Sequence, residues 1–268
     1  MAFRAFAAAD KGHVASAFSL IEILRTLYDR VIKHDPTRPA WLDRDRVIVS
    51  KGHACVALYA VLADHGYFPL ELLDSFCARG ARLGGHPERQ LDLGIEVSTG
   101  ALGHGLPFGV GVALAHKRMH TAVRVYVVVG DGELAEGSNW EALLLANKHK
   151  LNNLVLIVDH NGQQQGGSVA TVLPLDPLQK KLEAFGAETV VVDGHNPGLL
   201  LPVFQAMASR ESGGVGAVIC ETTKGRGLDF AESNPDWHYI RTFKPESLAE
   251  IANQLGASNQ GSTDEGES

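Results

Sequence analysis

Hydrophobic residues along this chain form two kinds of segment, which alternate over much of its length. Four segments are short, continuous and rich in β-branched residues, and they cover 123–129, 154–158, 188–192 and 216–221. Eight others repeat their hydrophobic residues at the spacing of an α-helix, and they cover about 16–33, 54–66, 69–79, 105–120, 138–150, 175–185, 197–211 and 245–256. Continuous hydrophobic strands are typical of a parallel sheet covered on both faces. The pattern predicts an α/β fold with a doubly wound, mainly parallel sheet flanked by helices.

The two ends of the chain differ from this alternating region. The first hundred residues carry helical periodicity and many loop residues, and we expect them to wrap the edge of the sheet where a ligand binds. The final segment, GASNQGSTDEGES, is small, polar and acidic, so 256–268 is predicted to be disordered. The expected organisation is one domain over 1–255.

Composition and charge argue against several classes of protein. The chain has 268 residues, of which 45% are hydrophobic, and its formal net charge is −7. No cluster of lysine and arginine marks a nucleic-acid surface, no hydrophobic run would cross a bilayer, and the N-terminus lacks a secretory signal. Cys55, Cys77 and Cys220 are scattered without the spacing of a metal or redox site. We therefore expect a cytoplasmic protein that acts on small molecules, without nucleic-acid or membrane partners.

Two short polar turns directly follow predicted strands. The sequence GDGELAEG at 130–137 follows the first strand, and DHNGQQQGG at 159–167 follows the second. In open parallel sheets, ligands bind beyond the carboxyl ends of the strands. Gly130 and Gly132 permit close backbone approach, and the helix that follows would direct N–H groups at an anion. This position in the fold predicts a site for an anionic group such as a phosphate.

Asp131 lies between these glycines, where its carboxylate would repel a phosphate. A divalent cation between the two groups removes the conflict, and Mg²⁺ prefers hard oxygen ligands in an octahedral arrangement. Asp131, the side-chain amide of Asn161 and a backbone carbonyl near Gln163 can each supply one oxygen. The alternative is a pair of ordinary turns, because glycine, aspartate and asparagine are common turn residues.

Five histidines are predicted to lie in loops, namely His13, His53, His86, His104 and His238. A neutral imidazole offers one hydrogen-bond donor and one acceptor, and it gains a charge close to neutral pH. Several such groups around one site suit carbohydrate chemistry, in which hydroxyl protons move. A zinc site is not expected, since these histidines lack short paired spacing.

The spacing from Asp131 to Asn161 resembles the thiamine diphosphate motif, and further motifs extend the resemblance. In chain order they are RDRVIVSKGH at 44–53, GGHPE at 84–88, EVSTGALGHGL at 96–106, GDGELAEG at 130–137, DHNGQQQGG at 159–167, DGHN at 193–196, TTKGRG at 222–227 and PDWH at 235–238. Together they resemble the N-terminal, diphosphate-binding half of transketolase over nearly the whole chain.

The resemblance implies cofactors and roles for individual residues. The cofactors are thiamine diphosphate and Mg²⁺, for which Ca²⁺ or Mn²⁺ can substitute, and the metal ligands are Asp131, Asn161 and Gln163. The implied cofactor contacts come from His53, Gly100, Leu102, Gly130, Asp131, Gly132, Glu136, Asn161 and His238. The implied catalytic residues are His13, His86 and His238, which face the reacting sugar, and Glu136, which with Glu141 lies near a subunit interface.

Some residues in these motifs carry weaker signals. Lys224 and Arg226 in TTKGRG are expected to be solvated loop cations. His104 stands where the family usually has glutamine, and it either adds an imidazole to the rim of the site or replaces an amide. The sequence GHVA at 12–15 replaces the usual GHPG beside His13. Both departures leave the donor sugar less certain than the cofactor.

The resemblance also implies a partner. In transketolases, the glutamate that activates the cofactor and the arginines that bind phosphate lie in the domain that follows this one. We therefore expect one subunit of a split transketolase, with the pyrimidine-binding and C-terminal domains on a separate chain, in an α2β2 heterotetramer. The expected reaction moves a two-carbon ketol unit from a ketose or ketose phosphate to an aldose acceptor.

Three alternatives stay open at this point. A two-carbon transferase or 2-oxo acid decarboxylating enzyme that acts on a carrier-bound acceptor would use the same cofactor, although GGHPE and PDWH favour transketolase. A non-catalytic subunit that binds the cofactor for regulation is a second, and the intact histidines argue against it. The third is a phosphate-binding α/β protein without thiamine, which the number of ordered motifs disfavours.

Overall fold

The computed structural model describes residues 1–211 and 213–256. The helices in this part of the chain are α1 (Ala2–Ala9), α2 (Val14–Phe18), α3 (Ile21–Arg30), α4 (Cys55–Asp64), α5 (Gly105–Arg118), α6 (Gly137–Lys148), α7 (Val169–Val172), α8 (Leu178–Ala184), α9 (Pro197–Ala208) and α10 (Pro245–Gln254). The strands are β1 (Arg46–Val49), β2 (Val125–Gly130), β3 (Leu154–His160), β4 (Gln163–Gln164), β5 (Gly167–Ser168), β6 (Glu188–Asp193) and β7 (Gly216–Glu221).

Five strands form one sheet in the order β1-β2-β3-β7-β6, and every neighbouring pair is parallel. The predicted parallel sheet is confirmed, and all four predicted strands belong to it. The sequence pattern does not predict β1, because only three of its four residues are hydrophobic. The two short strands β4 and β5 pair separately as an antiparallel hairpin immediately after β3.

Alternate side chains of the central strands pack on opposite faces of the sheet. In β2, Tyr126 and Val128 join a core with α3, α4 and α9, whereas Val125, Val127 and Val129 join a core with α5, α6 and α8. This alternation is the period-two geometry of a strand, applied to a sheet with helices on both sides. The doubly wound arrangement predicted from the sequence is therefore confirmed.

The sequence predicts one helix over 16–33, and this prediction is wrong because the helix is interrupted. The chain forms two helices, α2 and α3, with Ser19 between them. The Ser19 hydroxyl donates to Asp159 Oδ2 at 2.6 Å, at the carboxyl end of β3. The break in the helix thus brings a polar side chain to the edge of the sheet, which hydrophobic periodicity cannot reveal.

One further segment forms a 3₁₀-helix where a longer helix was predicted, and a second 3₁₀-helix precedes α6. The segment 69–79 contains a 3₁₀-helix at Leu70–Ser75. After Asp131 the chain forms a 3₁₀-helix at Gly132–Ala135, and α6 begins only at Gly137. The helix predicted over about 138–150 is therefore confirmed as α6, and a 3₁₀-helix separates it from the glycine turn.

The parallel sheet brings the carboxyl ends of β1, β2, β3 and β7 to one edge. The loops that follow these ends carry most of the residues predicted to bind a ligand. Within the part of the chain that the structure describes, no helix is both long enough and apolar enough to pass through a bilayer. The predicted disordered tail lies outside the described residues, apart from Gly256.

Candidate active site

A cavity of about 360 Å³ opens at the carboxyl edge of the sheet, and we call it the inner cavity. All twelve residues that the sequence nominates for catalysis, cofactor or metal line it. They are His13, His53, His86, Gly100, Leu102, Gly130, Asp131, Gly132, Glu136, Asn161, Gln163 and His238. Segments up to 225 residues apart in the chain therefore meet at one place, although the individual roles stay predictions.

Asp131 joins the two polar turns directly. Its Oδ1 accepts from the backbone N–H of Gly132 at 2.7 Å, and its Oδ2 accepts from the backbone N–H of Gly162 at 2.6 Å. Burial, and then the nearby Asp159 carboxylate, raises the pKa of Asp131. A buried carboxylate in this position is stabilised by a cation beside it. The arrangement therefore favours a bound positive ion at Asp131.

The orientation of the Asn161 amide is fixed by Asp159. Asn161 Nδ2 donates to Asp159 Oδ2 at 3.1 Å, and Asn161 Oδ1 accepts from the backbone N–H of Gln163 at 3.0 Å. The amide oxygen is thus turned away from the carboxylate. Asp159 is fully buried and also accepts from Lys51 and from the hydroxyls of Ser19 and Thr222.

The residues present fit a divalent cation bound together with a polar ligand. The Asp131 carboxylate, the Asn161 amide and the Gln163 backbone offer hard oxygens, which suits Mg²⁺. No cluster of three His, Cys, Asp or Glu side chains that could hold a metal occurs in the described residues, so other oxygens must complete the coordination. Ser16 Oγ and Gln164 Nε2 line the cavity and are buried without a hydrogen-bond partner within the described residues. Such atoms indicate that a polar ligand satisfies them.

Two buried lysines line the inner cavity, and the sequence analysis did not identify either as a site residue. Lys51 forms an ion pair with Asp159. Lys224 Nζ donates to His238 Nδ1 at 2.8 Å, so the expectation that Lys224 is solvated is wrong. Burial, and then Lys51, lowers the pKa of Lys224 to about 8, which leaves it mostly charged at neutral pH. The predicted exposure of Arg226 agrees with its surface position beside Glu232.

Four imidazoles cluster at the outer side of this cavity. The ring centroid of His13 lies 5.4 Å from that of His53, 5.4 Å from that of His238 and 6.1 Å from that of His86. Burial, and then the positive field of His238, lowers the pKa of His13 to about 3. Burial lowers the pKa of His238 to about 4, with Lys224 adding to the effect. Both rings are therefore neutral near pH 7, and each offers one donor and one acceptor.

His104 does not join this cluster. It is exposed at the start of α5, and its Nδ1 contacts the backbone carbonyl of Leu102 at 3.0 Å. Of the two interpretations that the sequence left open, an additional imidazole at the site is not supported by this position. The five loop histidines thus separate into four at the cavity and one beside it.

Glu133 is a second residue that the sequence analysis missed. Its buried carboxylate accepts from Ser50 Oγ and from the backbone N–H groups of Gly103 at 2.9 Å and Gly130 at 3.2 Å. Burial raises the pKa of Glu133. These contacts tie the segment that carries Gly100 and Leu102 to the turn after β2. Glu136, by contrast, is exposed. It lies directly before α6 and lines the inner cavity.

Comparison with known proteins agrees with this geometry. A family profile described as the transketolase thiamine diphosphate binding domain matches residues 1–262. The chain belongs to the transketolase family. The resemblance inferred from the motifs is confirmed, and so are the transketolase-type transferase and the thiamine diphosphate-binding fold.

Two similar transketolase proteins are of nearly the same length as the matched region. An apulose-4-phosphate transketolase subunit of Actinobacillus succinogenes is 42% identical over 228 residues, which cover 85% of this chain and 82% of that protein. A 6-deoxy-6-sulfo-D-fructose transketolase subunit of a Clostridium species is 39% identical over 241 residues, which cover 90% of this chain and 87% of that protein. Relatives of this kind are separate subunits by name.

Longer transketolases match over part of their length. Human transketolase is 37% identical over 236 residues, which cover 88% of this chain and 37% of that protein. The structure of transketolase from Leishmania mexicana superposes with a TM-score of 0.86 at 28% identity, over 99% of this chain and 41% of that one. The match therefore corresponds to the thiamine diphosphate-binding part of the longer transketolases.

Proposed function

We propose that this chain transfers a two-carbon ketol unit from a ketose, or ketose phosphate, to an aldose acceptor when it is assembled with a separate C-terminal subunit. The observation that carries the proposal is the convergence of all twelve nominated residues on one cavity. Relatives named as transketolase subunits, over most of whose length this chain aligns, support the companion chain.

The inner cavity would hold the diphosphate end of thiamine diphosphate and its metal ion. Asp131, Asn161 and the Gln163 backbone would bind Mg²⁺, with Ca²⁺ or Mn²⁺ as substitutes. His53 and His238 would contact the diphosphate, with Gly130 and Gly132 beside it, and the charged Lys224 adds a cation that the sequence did not suggest. Gly100 and Leu102 would contact the rest of the cofactor. When bound, the cofactor supplies an electron sink for the cleavage of the sugar carbon–carbon bond.

The histidine cluster would bind the sugar and move its protons. The neutral imidazole of His13 can donate to one hydroxyl and accept from another without a change of charge, whereas that of His238 can only donate to a hydroxyl. The contact from Lys224 Nζ fills His238 Nδ1, so the proton of the neutral ring resides on Nε2. His86 stands at the exposed side, where a hydroxyl of the sugar can reach it. These positions support the roles of His13, His86 and His238 in proton transfer.

The proposed assembly with a companion subunit uses acidic residues near the start of α6. Glu136 and Glu141 are both exposed near the start of α6, which is compatible with the interface role that the family resemblance implies. We propose an α2β2 heterotetramer in the cytoplasm, in which the companion carries the pyrimidine-binding domain. The domain boundary at about residue 255 belongs to the same proposal.

Reconstitution with the companion chain tests this function. Ketol transfer should be undetectable with the chain alone and should appear when the companion, thiamine diphosphate and Mg²⁺ are added together. Asp131→Ala should abolish metal-dependent cofactor binding in a calorimetric titration, whereas Asp43→Ala on the surface should leave it unchanged. Robust turnover by the purified single chain would contradict the need for a companion. Tight cofactor binding in the presence of a metal chelator would contradict the metal site.

A further inference from the structure

A second cavity of about 340 Å³ opens from the histidine cluster towards the surface, and we call it the outer chamber. It shares His13, His53, His86, His238 and Gln165 with the inner cavity. Its other lining residues are Lys11, Gly12, Cys55, Val56, Phe76, Cys77, Gly85 and Tyr239. A molecule whose reacting carbon lies among the histidines would extend its remaining chain into this space.

The outer chamber has an unusual charge for this protein. The chain as a whole is acidic, with a net charge of −7, and three carboxylates line the inner cavity. Among the described residues that line the outer chamber, none carries a carboxylate. Lys11 contributes an ammonium group to this lining. A half-enclosed space with an ammonium group and no acid favours a negatively charged group.

Lys11 is available to bind such a group. Within the described residues, no carboxylate forms an ion pair with Lys11. The adjacent Asp10 uses its Oδ1 to accept from the backbone N–H of Phe243 at 3.1 Å. That bond, together with the bond from the same N–H to the Asp10 carbonyl at 3.2 Å, holds Asp10 towards the C-terminal segment. Lys11 is half-buried at the chamber wall.

A backbone bridge joins the segment that carries Lys11 to the segment that carries Tyr239. Gly12 and Ile240 exchange two backbone hydrogen bonds, each 3.0 Å long. Gly12 has φ of +147°, a conformation that side-chain-bearing residues rarely adopt, and a Cβ there would lie 2.7 Å from the ring of Phe6. The Tyr239 ring packs on His13 with 4.6 Å between centroids. The bridge therefore fixes the aromatic wall and the cation relative to the catalytic imidazole.

We propose that Lys11 is a specificity-determining residue, which binds the terminal oxyanion, phosphate or sulfonate, of the sugar that reacts at the histidine cluster. This inference rests on the proposed function. Tyr239 forms the wall that directs the sugar chain from His13 to Lys11. The cation is supplied by this chain itself, in addition to whatever phosphate ligands its companion provides.

Steady-state kinetics of the reconstituted complex test the inference with Lys11→Met. For xylulose 5-phosphate and for 6-deoxy-6-sulfofructose we expect KM to rise about ten- to a hundredfold, because a hydrogen bond to a charged group is lost. For unphosphorylated xylulose we expect no change in kcat/KM. Lys11→Arg should retain the preference for an anion, and Lys180→Met, which removes an exposed lysine on α8, should behave as wild type. A rise in KM for only one of these two anionic sugars would identify which oxyanion, phosphate or sulfonate, Lys11 binds.

Protection of Cys77 gives a readout that does not depend on turnover. Cys77 lies in the same chamber and is partly exposed, whereas Cys55 and Cys220 are buried. Alkylation of Cys77 by iodoacetamide, followed by mass spectrometry, should be slowed by xylulose 5-phosphate more than by xylulose, and Lys11→Met should abolish that difference. If the complex transfers the ketol unit but Lys11→Met leaves KM for the anionic sugars unchanged, this inference is overturned and the proposed function stays intact. No transfer by the wild-type complex with any sugar would overturn both.

Discussion

The side-chain amide of Asn161 donates to the carboxylate of Asp159 at 3.1 Å, on the same oxygen that Ser19 and Lys51 contact. Because the nitrogen of the amide is engaged there, its oxygen faces the side where Gln163 lies. Asp159 therefore has two tasks. It orients a metal ligand of the proposed site, and it neutralises a buried lysine.

Asp159→Asn should affect stability and metal binding together. The substitution leaves the Lys51 ammonium buried without its counter-ion, and removing one partner of a buried pair typically costs about 3–5 kcal/mol. It also frees the Asn161 amide to rotate, so Mg²⁺-dependent binding of thiamine diphosphate should weaken. Urea unfolding and calorimetric titration of the same preparation measure the two effects.

The matched control is Asp43→Asn, which removes a surface carboxylate. It should change the free energy of unfolding by less than about 0.5 kcal/mol. The double variant Asp159→Leu/Lys51→Met should recover part of the lost stability, since neither charge is then left alone. If Asp159→Asn and Asp43→Asn unfold at the same urea concentration, the ion pair between Asp159 and Lys51 does not stabilise the fold as predicted.

Gly132→Ala tests how closely the two polar turns approach each other. A Cβ at Gly132 would lie 2.7 Å from the Cβ of Gln164, so one turn must move. Overpacking of this kind costs typically about 1–3 kcal/mol, and the shift should also disturb Asp131 and weaken metal-dependent cofactor binding. Gly111→Ala in α5 is the matched control, because among the described residues no heavy atom beyond the adjoining backbone of α5 lies within 4 Å of its added Cβ.

Gly111→Ala should raise the melting temperature, since alanine in a helix interior is favoured over glycine by about 0.8–1.0 kcal/mol. Differential scanning calorimetry of both variants gives the comparison. A melting temperature for Gly132→Ala at or above that of the wild type would show that the glycine is not required by packing at this turn.

His53 and His86 should fail in different ways when replaced by alanine. His53 is half-buried between His13 and His238, whereas His86 is exposed and its ring packs against Gly100. His53→Ala should weaken the affinity for thiamine diphosphate by about ten- to a hundredfold, because a hydrogen bond to a charged group is lost. His86→Ala should leave that affinity near normal and lower kcat or the affinity for the donor sugar.

Cofactor titration, steady-state kinetics and melting temperature are measured on the same preparations of the reconstituted complex. A purely structural role for either histidine would lower the melting temperature and leave activity in proportion to the folded fraction. Equal losses of cofactor affinity in both variants would show that the division between a diphosphate end and a sugar end is wrong.

The sequence predicts most of the sheet and the two polar turns at its edge, for two physical reasons. Strands buried on both faces are recognisable from continuous hydrophobic runs, and parallel strands bring their carboxyl ends to one edge. The glycine, aspartate and asparagine turns then mark that edge. Roles such as those of Gly100 and Leu102 could come only from the family resemblance, because neither residue type carries a chemical signature.

What the sequence does not predict depends on burial and on long-range pairing. Lys51, Glu133 and Lys224 look like ordinary charged residues, and nothing in their local sequence shows that each is buried against a partner from another segment of the chain. Asp159 pairs with Lys51 across 108 residues, and Glu133 reaches Ser50 across 83. The strand β1 is missed for a related reason, since its short hydrophobic run is stabilised by pairing with β2 rather than by its own pattern.

The acid sensitivity of the cofactor-free chain should depend on His13. In the folded chain the pKa of His13 is lowered to about 3, first by burial and then by His238, His86, Lys224 and Lys51. Above the ordinary pKa of about 6.5, the imidazole is neutral in both the folded and the unfolded chain, so no stability is lost. As the pH falls from 6.5 towards 3, the unfolded chain binds a proton that the folded chain does not, and the folded state becomes less stable.

His13→Gln should therefore flatten the dependence of stability on pH. One proton of difference corresponds to about 1.4 kcal/mol per pH unit, so the slope of the unfolding free energy between pH 6 and pH 4 should fall by about that amount. His149→Gln, at the end of α6, is the matched control for the loss of one imidazole. Urea unfolding in metal-free buffer at pH 7, 6, 5 and 4 measures both variants against the wild type. An unchanged slope in His13→Gln would mean that this imidazole takes up its proton as readily in the folded chain as in the unfolded one, and that the cluster is open to solvent.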